Sequence, residues 1–111
     1  ASDPEWADKT RDKYITDGPF MYRTECGKLL MIWSTFTSSG YVQAVSCSDN
    51  GEIDGKWAHD SLLFEKDGGH GMMFDDYNGV KHLILHSPNE NPLERPVLFD
   101  LTEENGMLKL K

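Results

Sequence analysis

Apolar and polar residues alternate along this chain in short runs, and Gly, Asn, Asp and Ser interrupt the runs at close intervals. That is the period-two pattern of half-buried strands, and the three-to-four spacing of an amphipathic helix is nearly absent. The runs predict strands over about 20–24, 28–36, 40–47 and 61–64, then a second set over about 70–75, 80–87, 96–101 and 107–110. DNGEIDGKW (49–57), EKDGG (65–69) and the two-proline stretch SPNENPLE (87–94) read as turns and loops.

The two sets are related. GPFMYRTECGKLLMIWST (18–35) lies over HGMMFDDYNGVKHLILHS (70–87) without a gap, at an offset of 52 residues. Gly27 falls on Gly79 at the hairpin turn, and Phe20, Tyr22, Met31 and Ile32 fall on Met72, Phe74, Leu83 and Ile84. A repeat of that period marks stacked structural units. The fold class is therefore all-β, with two four-stranded antiparallel sheets. Such sheets are the blades of a β-propeller, which closes with roughly four to eight of them. Two cannot close a ring, so the pattern points to a partial propeller completed by more chain or by self-association. A self-contained sandwich of eight strands fits the same pattern.

Length and charge narrow the partners. With 111 residues, of which 38% are apolar, the chain can bury the core of one small domain. No apolar run approaches the length of a membrane span. A net charge of -8 disfavours nucleic acid and anionic membrane, since nothing here neutralises a row of phosphates. The polar start, ASDPEWADKTRDK, carries no hydrophobic signal region; either a signal was removed or the chain lies inside a longer protein. Cys26 and Cys47 form no CxxC pair and read as free thiols, with a single bridge left open.

Candidate chemistry sits where inner strands begin. Asp17-Gly18-Pro19 leads into the first inner strand, and Gly68-Gly69-His70-Gly71 into the second. In a propeller both points open at one mouth of the central channel. Asp17 reads either as a general acid or base, its pKa raised by partial desolvation, or as an Asx-turn that caps the strand. His70 reads either as a metal or substrate contact or as a histidine hydrogen-bonded inside a glycine turn. Trp6 and Phe36 are the aromatics placed to stack on sugar, while Trp33 and Trp57 read as core. His86, at a strand end, and Arg95, after the last loop, are further contact candidates. Arg95 has the alternative of an ion pair with Glu94 or Asp100. No HExxH, GxSxG, Walker or EF-hand pattern occurs.

The segments YITDGPFMYR (14–23), GKLLMIWS (27–34), GYVQAVSCSDNGEIDGKW (40–57), DGGHGMMF (67–74) and HSPNENPLERP (86–96) together resemble the later part of glycoside hydrolase family 43. The resemblance implies a five-bladed propeller that hydrolyses arabinose- or xylose-containing plant polysaccharide with inversion. Residues 1–111 would be its C-terminal part, with a first blade at about 17–64 and a second at about 69–111. Asp17 would stand where the family has its general acid, a Glu in an E-G-P type motif, and is one methylene shorter. His70 would match the family's glycine-flanked histidine near an ion, calcium or another, on the propeller axis. No organic cofactor is implied. The family's general base and pKa-tuning aspartate lie on earlier blades, and nothing here matches them. The chain alone is therefore expected to be inactive, and its partners to be polysaccharide together with the missing N-terminal blades or further copies of itself. The resemblance also implies a periplasmic or secreted bacterial protein. The rival function is a non-catalytic carbohydrate-binding or structural β-fragment that self-associates.

Overall fold

The computed structural model describes residues 16–38 and 40–111. It contains eight strands: β1 (Asp17–Arg23), β2 (Leu29–Thr37), β3 (Gly40–Ser48), β4 (Trp57–Phe64), β5 (Gly69–Asp75), β6 (Lys81–Ser87), β7 (Arg95–Glu104) and β8 (Met107–Leu110). They form two four-stranded antiparallel sheets, in the orders β1-β2-β3-β4 and β5-β6-β7-β8. The expected all-β architecture is what the chain adopts. β1 begins three residues ahead of its apolar run, at Asp17, and β4 and β7 exceed theirs by more. β4 begins at Trp57, four residues early, because WAHD belongs to an edge strand whose alternate residues face solvent. β7 continues to Glu104 on the same half-exposed pattern.

The repeat is visible in the hydrogen bonds. At the β1–β2 turn, Thr24 N–H donates to Lys28 C=O at 2.9 Å and Gly27 N–H to Thr24 C=O at 3.0 Å. Fifty-two residues on, Asp76 N–H donates to Val80 C=O at 2.9 Å and Gly79 N–H to Asp76 C=O at 3.0 Å. Both inner strands also break register near their starts, β1 between Asp17 and Phe20 and β5 between Gly69 and Met72. These bulges re-aim the first residues of each inner strand.

The core lies between the sheets. Leu30, Ile32 and Val45 of the first sheet pack against Met73, Leu83 and Leu85 of the second, with Leu101 and Leu108 closing the far side. The direction of stacking is informative. Side chains alternate across a sheet, and the row Phe20–Ile32–Val45 faces the second sheet. Its equivalent in the second sheet is Met72–Ile84–Leu98, which faces away. Conversely Leu83 is buried between the sheets, while its equivalent Met31 lies on the first sheet's outer side. The sheets therefore stack head to tail, each presenting the same face in the same direction. A closed sandwich would turn its two apolar faces toward each other. Here Met72 and Leu98 are each 53% exposed and Phe74 is 44% exposed, so one apolar face is left open.

Opposite the starts of β1 and β5, a second group ties the sheets. The Tyr22 hydroxyl donates to Glu103 Oε1 at 2.7 Å, and Lys81 Nζ sits 4.8 Å from the centre of the Tyr22 ring.

Leu83 is fully buried where the two sheets meet. Leu83→Ala should destabilise the chain by about 2–5 kcal/mol, the range for a buried leucine cut to alanine. Urea unfolding of the two proteins checks this.

Candidate active site

The first residues of β1 and β5 lie side by side. Asp17 Oδ2 accepts a hydrogen bond from the Tyr41 hydroxyl at 2.9 Å and lies 3.2 Å from His70 Nδ1. The two candidates that sequence placed at equivalent strand starts are thus in contact. Both remain accessible, with side chains 46% exposed for Asp17 and 56% for His70.

Local backbone explains the contact. Gly18 and His70 occupy equivalent positions in the repeat, and both are left-handed, with φ of 53° and 54°. For glycine this costs nothing, but a side chain there costs about 1–3 kcal/mol. His70 is held in place by the first sheet. Its N–H donates to the buried Ser34 Oγ at 2.6 Å, and the next N–H, of Gly71, donates to Gln43 Oε1 at 2.8 Å. Gln43 is fully buried and its own amide donates to Trp33 C=O at 3.1 Å. Gly18 leaves room for the imidazole, since a Cβ on it would lie 2.9 Å from the ring.

Tyr41 was not predicted. Its ring packs against Phe36 at 4.9 Å between centroids and stacks on His86 at 5.5 Å. Phe36, expected at a strand end in contact with substrate, lies within β2 and its ring packs on Tyr41. His86 Nε2 is 2.8 Å from Asn89 Oδ1. The Arg95 guanidinium donates to the carbonyls of Pro92 at 3.2 Å and Glu94 at 2.8 Å, instead of the carboxylate of Glu94 or Asp100. His70, His86 and Arg95 nonetheless line one pocket of about 320 Å³, together with Met72, Ile84 and Pro96. Trp6 lies outside the described residues.

A second pocket, of about 330 Å³, is lined by Thr16, Asp17, Pro19, Met31, Trp33 and His59. Trp33, read from sequence as core, is 7% exposed but borders this pocket, so it is the described tryptophan beside Asp17. Its indole N–H donates to Ser46 Oγ at 2.9 Å, which in turn lies 3.1 Å from His59 Nδ1. Trp57, also read as core, is half-buried and its indole donates to Ile53 C=O at 3.1 Å.

The electrostatics differ from expectation in one respect. Of the two readings of Asp17, that of a general acid or base implies a raised pKa. The Tyr41 hydroxyl bond instead holds its carboxyl below the ordinary 3.8; burial pushes the other way, and the bond and charge of His70 then add to the lowering. Burial, and after it the hydrogen bond to the Asp17 carboxylate, push the Tyr41 phenol up to about 12. Asp17 is thus a carboxylate at neutral pH in this chain.

A cation at His70 would find few ligands. Among the described residues no three His, Cys, Asp or Glu side chains converge. The Asp17 carboxylate beside the His70 ring falls short of the about six to eight oxygens that calcium takes. These residues do not form a calcium site by themselves. Cys26 and Cys47 are both free thiols, as expected.

The fold is similar to that of solved glycoside hydrolases. It superposes on an endo-arabinase from Bacteroides thetaiotaomicron VPI-5482 with a TM-score of 0.78 and 35% sequence identity, over 84% of this chain and 34% of that one. It also superposes on an endo-1,4-beta-xylanase from the same organism, with a TM-score of 0.73 over 87% of this chain and 38% of that one. Identity to the xylanase is 21%, so that likeness is one of fold alone. The chain spans about a third of the length of either structure. No family model and no curated protein sequence matches it. The architecture is thus a glycoside hydrolase-like one.

Gly18→Ala should cost about 1–2 kcal/mol from the left-handed backbone alone. It should also drive the His70 ring off Asp17, which the histidine's ring NMR shifts would report. The Asp17 interactions have a pH signature too. Because the folded-state pKa is depressed, their stabilisation is complete above 3.8 and is lost as pH falls through the lower folded value. Denaturation of wild type and Asp17→Asn from neutral pH downward should show a difference in stability that changes only below about pH 4.

Proposed function

We propose that this chain is part of a family-43-type glycoside hydrolase that cleaves arabinose- or xylose-containing plant polysaccharide with inversion, and that its sheets are two blades of a five-bladed propeller. The carrying observation is Asp17: an accessible carboxyl group at the bulged start of an inner strand, fixed by Tyr41 and His70, on a fold 35% identical to an endo-arabinase. The head-to-tail stacking supports the propeller. The outward row Met72–Ile84–Leu98 repeats a row that is buried in the first sheet, so a further sheet has a face to cover.

In this reading Asp17 is the general acid. Inverting hydrolysis needs it protonated beside the leaving oxygen, with a second carboxylate about 6.5–9.5 Å away to activate water. The general base and a pKa-tuning aspartate belong to the missing blades. Those blades would reverse the charge of Asp17, because burial and a like charge beside it would lift its pKa toward the working range. Trp6, Phe36, His86 and Arg95 remain the proposed sugar contacts, with His86 and Arg95 sharing a pocket with His70. An ion at His70 would draw its remaining ligands from the missing blades. A plant-polysaccharide substrate fits a periplasmic or secreted bacterial protein.

The open apolar face also supports a second reading, in which the chain is a non-catalytic fragment that binds sugar or associates with its own copies through that face. Its signature is concentration-dependent association without turnover.

The test is hydrolysis of aryl arabinofuranoside and aryl xyloside, by the 111-residue chain and by the longest reading frame that contains it. The short chain should be inactive. The longer protein should be active, and its Asp17→Asn variant should lose about 10²–10⁴ in rate. Full activity in that variant would move the acid elsewhere and return Asp17 to the role of a turn residue.

A further inference from the structure

Two side chains donate toward Asp17, and they differ in how firmly they are held. His70 is exposed, anchored only through its backbone N–H. Tyr41 is fixed on every side. It is 3% exposed, with its ring between Phe36 and His86. Its N–H donates to Asp67 Oδ1 at 3.1 Å, and its C=O accepts from Gly68 N–H at 2.9 Å. Gly69 packs against the ring so closely that a Cβ there would come within 2.9 Å of it. With the Ser34 hydroxyl also within its reach, the hydroxyl of this held ring donates to Asp17 Oδ2.

Both donors converge on this one oxygen. With the hydroxyl and the imidazole both directed at it, Oδ2 has its two lone pairs engaged, and Oδ1 is the oxygen left to take a proton. We propose that Tyr41 is the positioning residue of this site: its hydroxyl locks Oδ2 of Asp17 and thereby makes Oδ1 the oxygen that carries and delivers the proton. Delivery of the proton rests on the hydrolase reading, and the lock on the geometry alone. Tyr41 does not touch the sugar in this role. It acts through the orientation and the charge of Asp17, and its raised phenol pKa keeps it a donor across the whole working range.

Tyr41→Phe keeps the ring packing and removes only the hydroxyl. In the longer, active protein it should lower kcat about tenfold or more with KM nearly unchanged, because a misplaced reacting group costs rate more than binding. It should also move the basic limb of the pH–rate profile to higher pH. The acid must be protonated to work, and loss of a donor to its carboxylate raises its pKa. A purely structural tyrosine would leave that limb in place, and an unmoved limb overturns the proposal.

Two measurements on the 111-residue chain separate this from the hydrolase reading. The carboxyl carbon of Asp17, followed by NMR, should titrate below the ordinary 3.8 in the wild type and higher in Tyr41→Phe. In the wild type alone, the ring Cζ shift of Tyr41 should change in step with Asp17, a result that needs no folded variant. Uncoupled titrations overturn the lock. Coupled titrations alongside an Asp17→Asn variant of full activity uphold the lock and reject the hydrolase role of Asp17.

Discussion

Two buried polar side chains of the first sheet decide where the second sheet begins. Ser34 and Gln43 are fully buried partners in the β2–β3 register, and both face the second sheet. They accept the N–H groups of His70 and Gly71, at a bulge where β5 cannot pair those groups with β6. Left unpaired in this interior, each such group would cost about 1–3 kcal/mol. Apolar packing holds the sheets together, but it is tolerant of sliding. These bonds are directional, and they fix the height of β5 against β1. The contact between Asp17 and His70 follows from that height, as does the closeness that only glycine at position 18 can accept.

Head-to-tail stacking carries the argument from packing to architecture. The first sheet buries its Phe20–Ile32–Val45 row against the second, and the second sheet directs the same row outward. An arrangement in which every unit offers its neighbour the same face has no natural end. It ends by closing into a ring or by meeting something else. That is why the open face serves two readings equally: blades of the same enzyme would cover it, and so would another copy of the chain. The proposed hydrolase reading would call for the first of these, since inverting hydrolysis needs a second carboxylate across the sugar.

Most of the fold was legible because strands announce themselves in alternation and turns in glycine. The 52-residue repeat carried the hairpins and the bulges with it. The start of β4 was not legible, because WAHD is half-exposed and resembles a loop. Asp17 and His70 could be singled out from the residues around them, and only the fold could show that they touch. Tyr41 could not be found by repeat or motif, since its role comes from two hairpins meeting. Gln43 left a signal that was readable in principle: one amide inside the run YVQAV, where an interior position demands a partner. Trp33 is buried, as its strand pattern implied, and only the fold could show that it also borders a pocket beside Asp17.

The charge of Asp17 shows how far a local site depends on its surroundings. Within this chain the balance around the carboxyl group favours the ionised form: a fixed hydroxyl and an imidazole outweigh the partial burial of a side chain still open to water. A general acid needs the opposite balance. Neither the bond to Tyr41 nor that to His70 has to be lost to reach it. A sheet laid over the open side would remove water, and a second carboxylate brought close would make the proton worth keeping. The same residues can therefore be a plain anion in the two-sheet chain and a proton donor in a closed ring. The proton would then sit on the oxygen that Tyr41 leaves unengaged, so the geometry set by the fold would persist while the assembly changed only the charge.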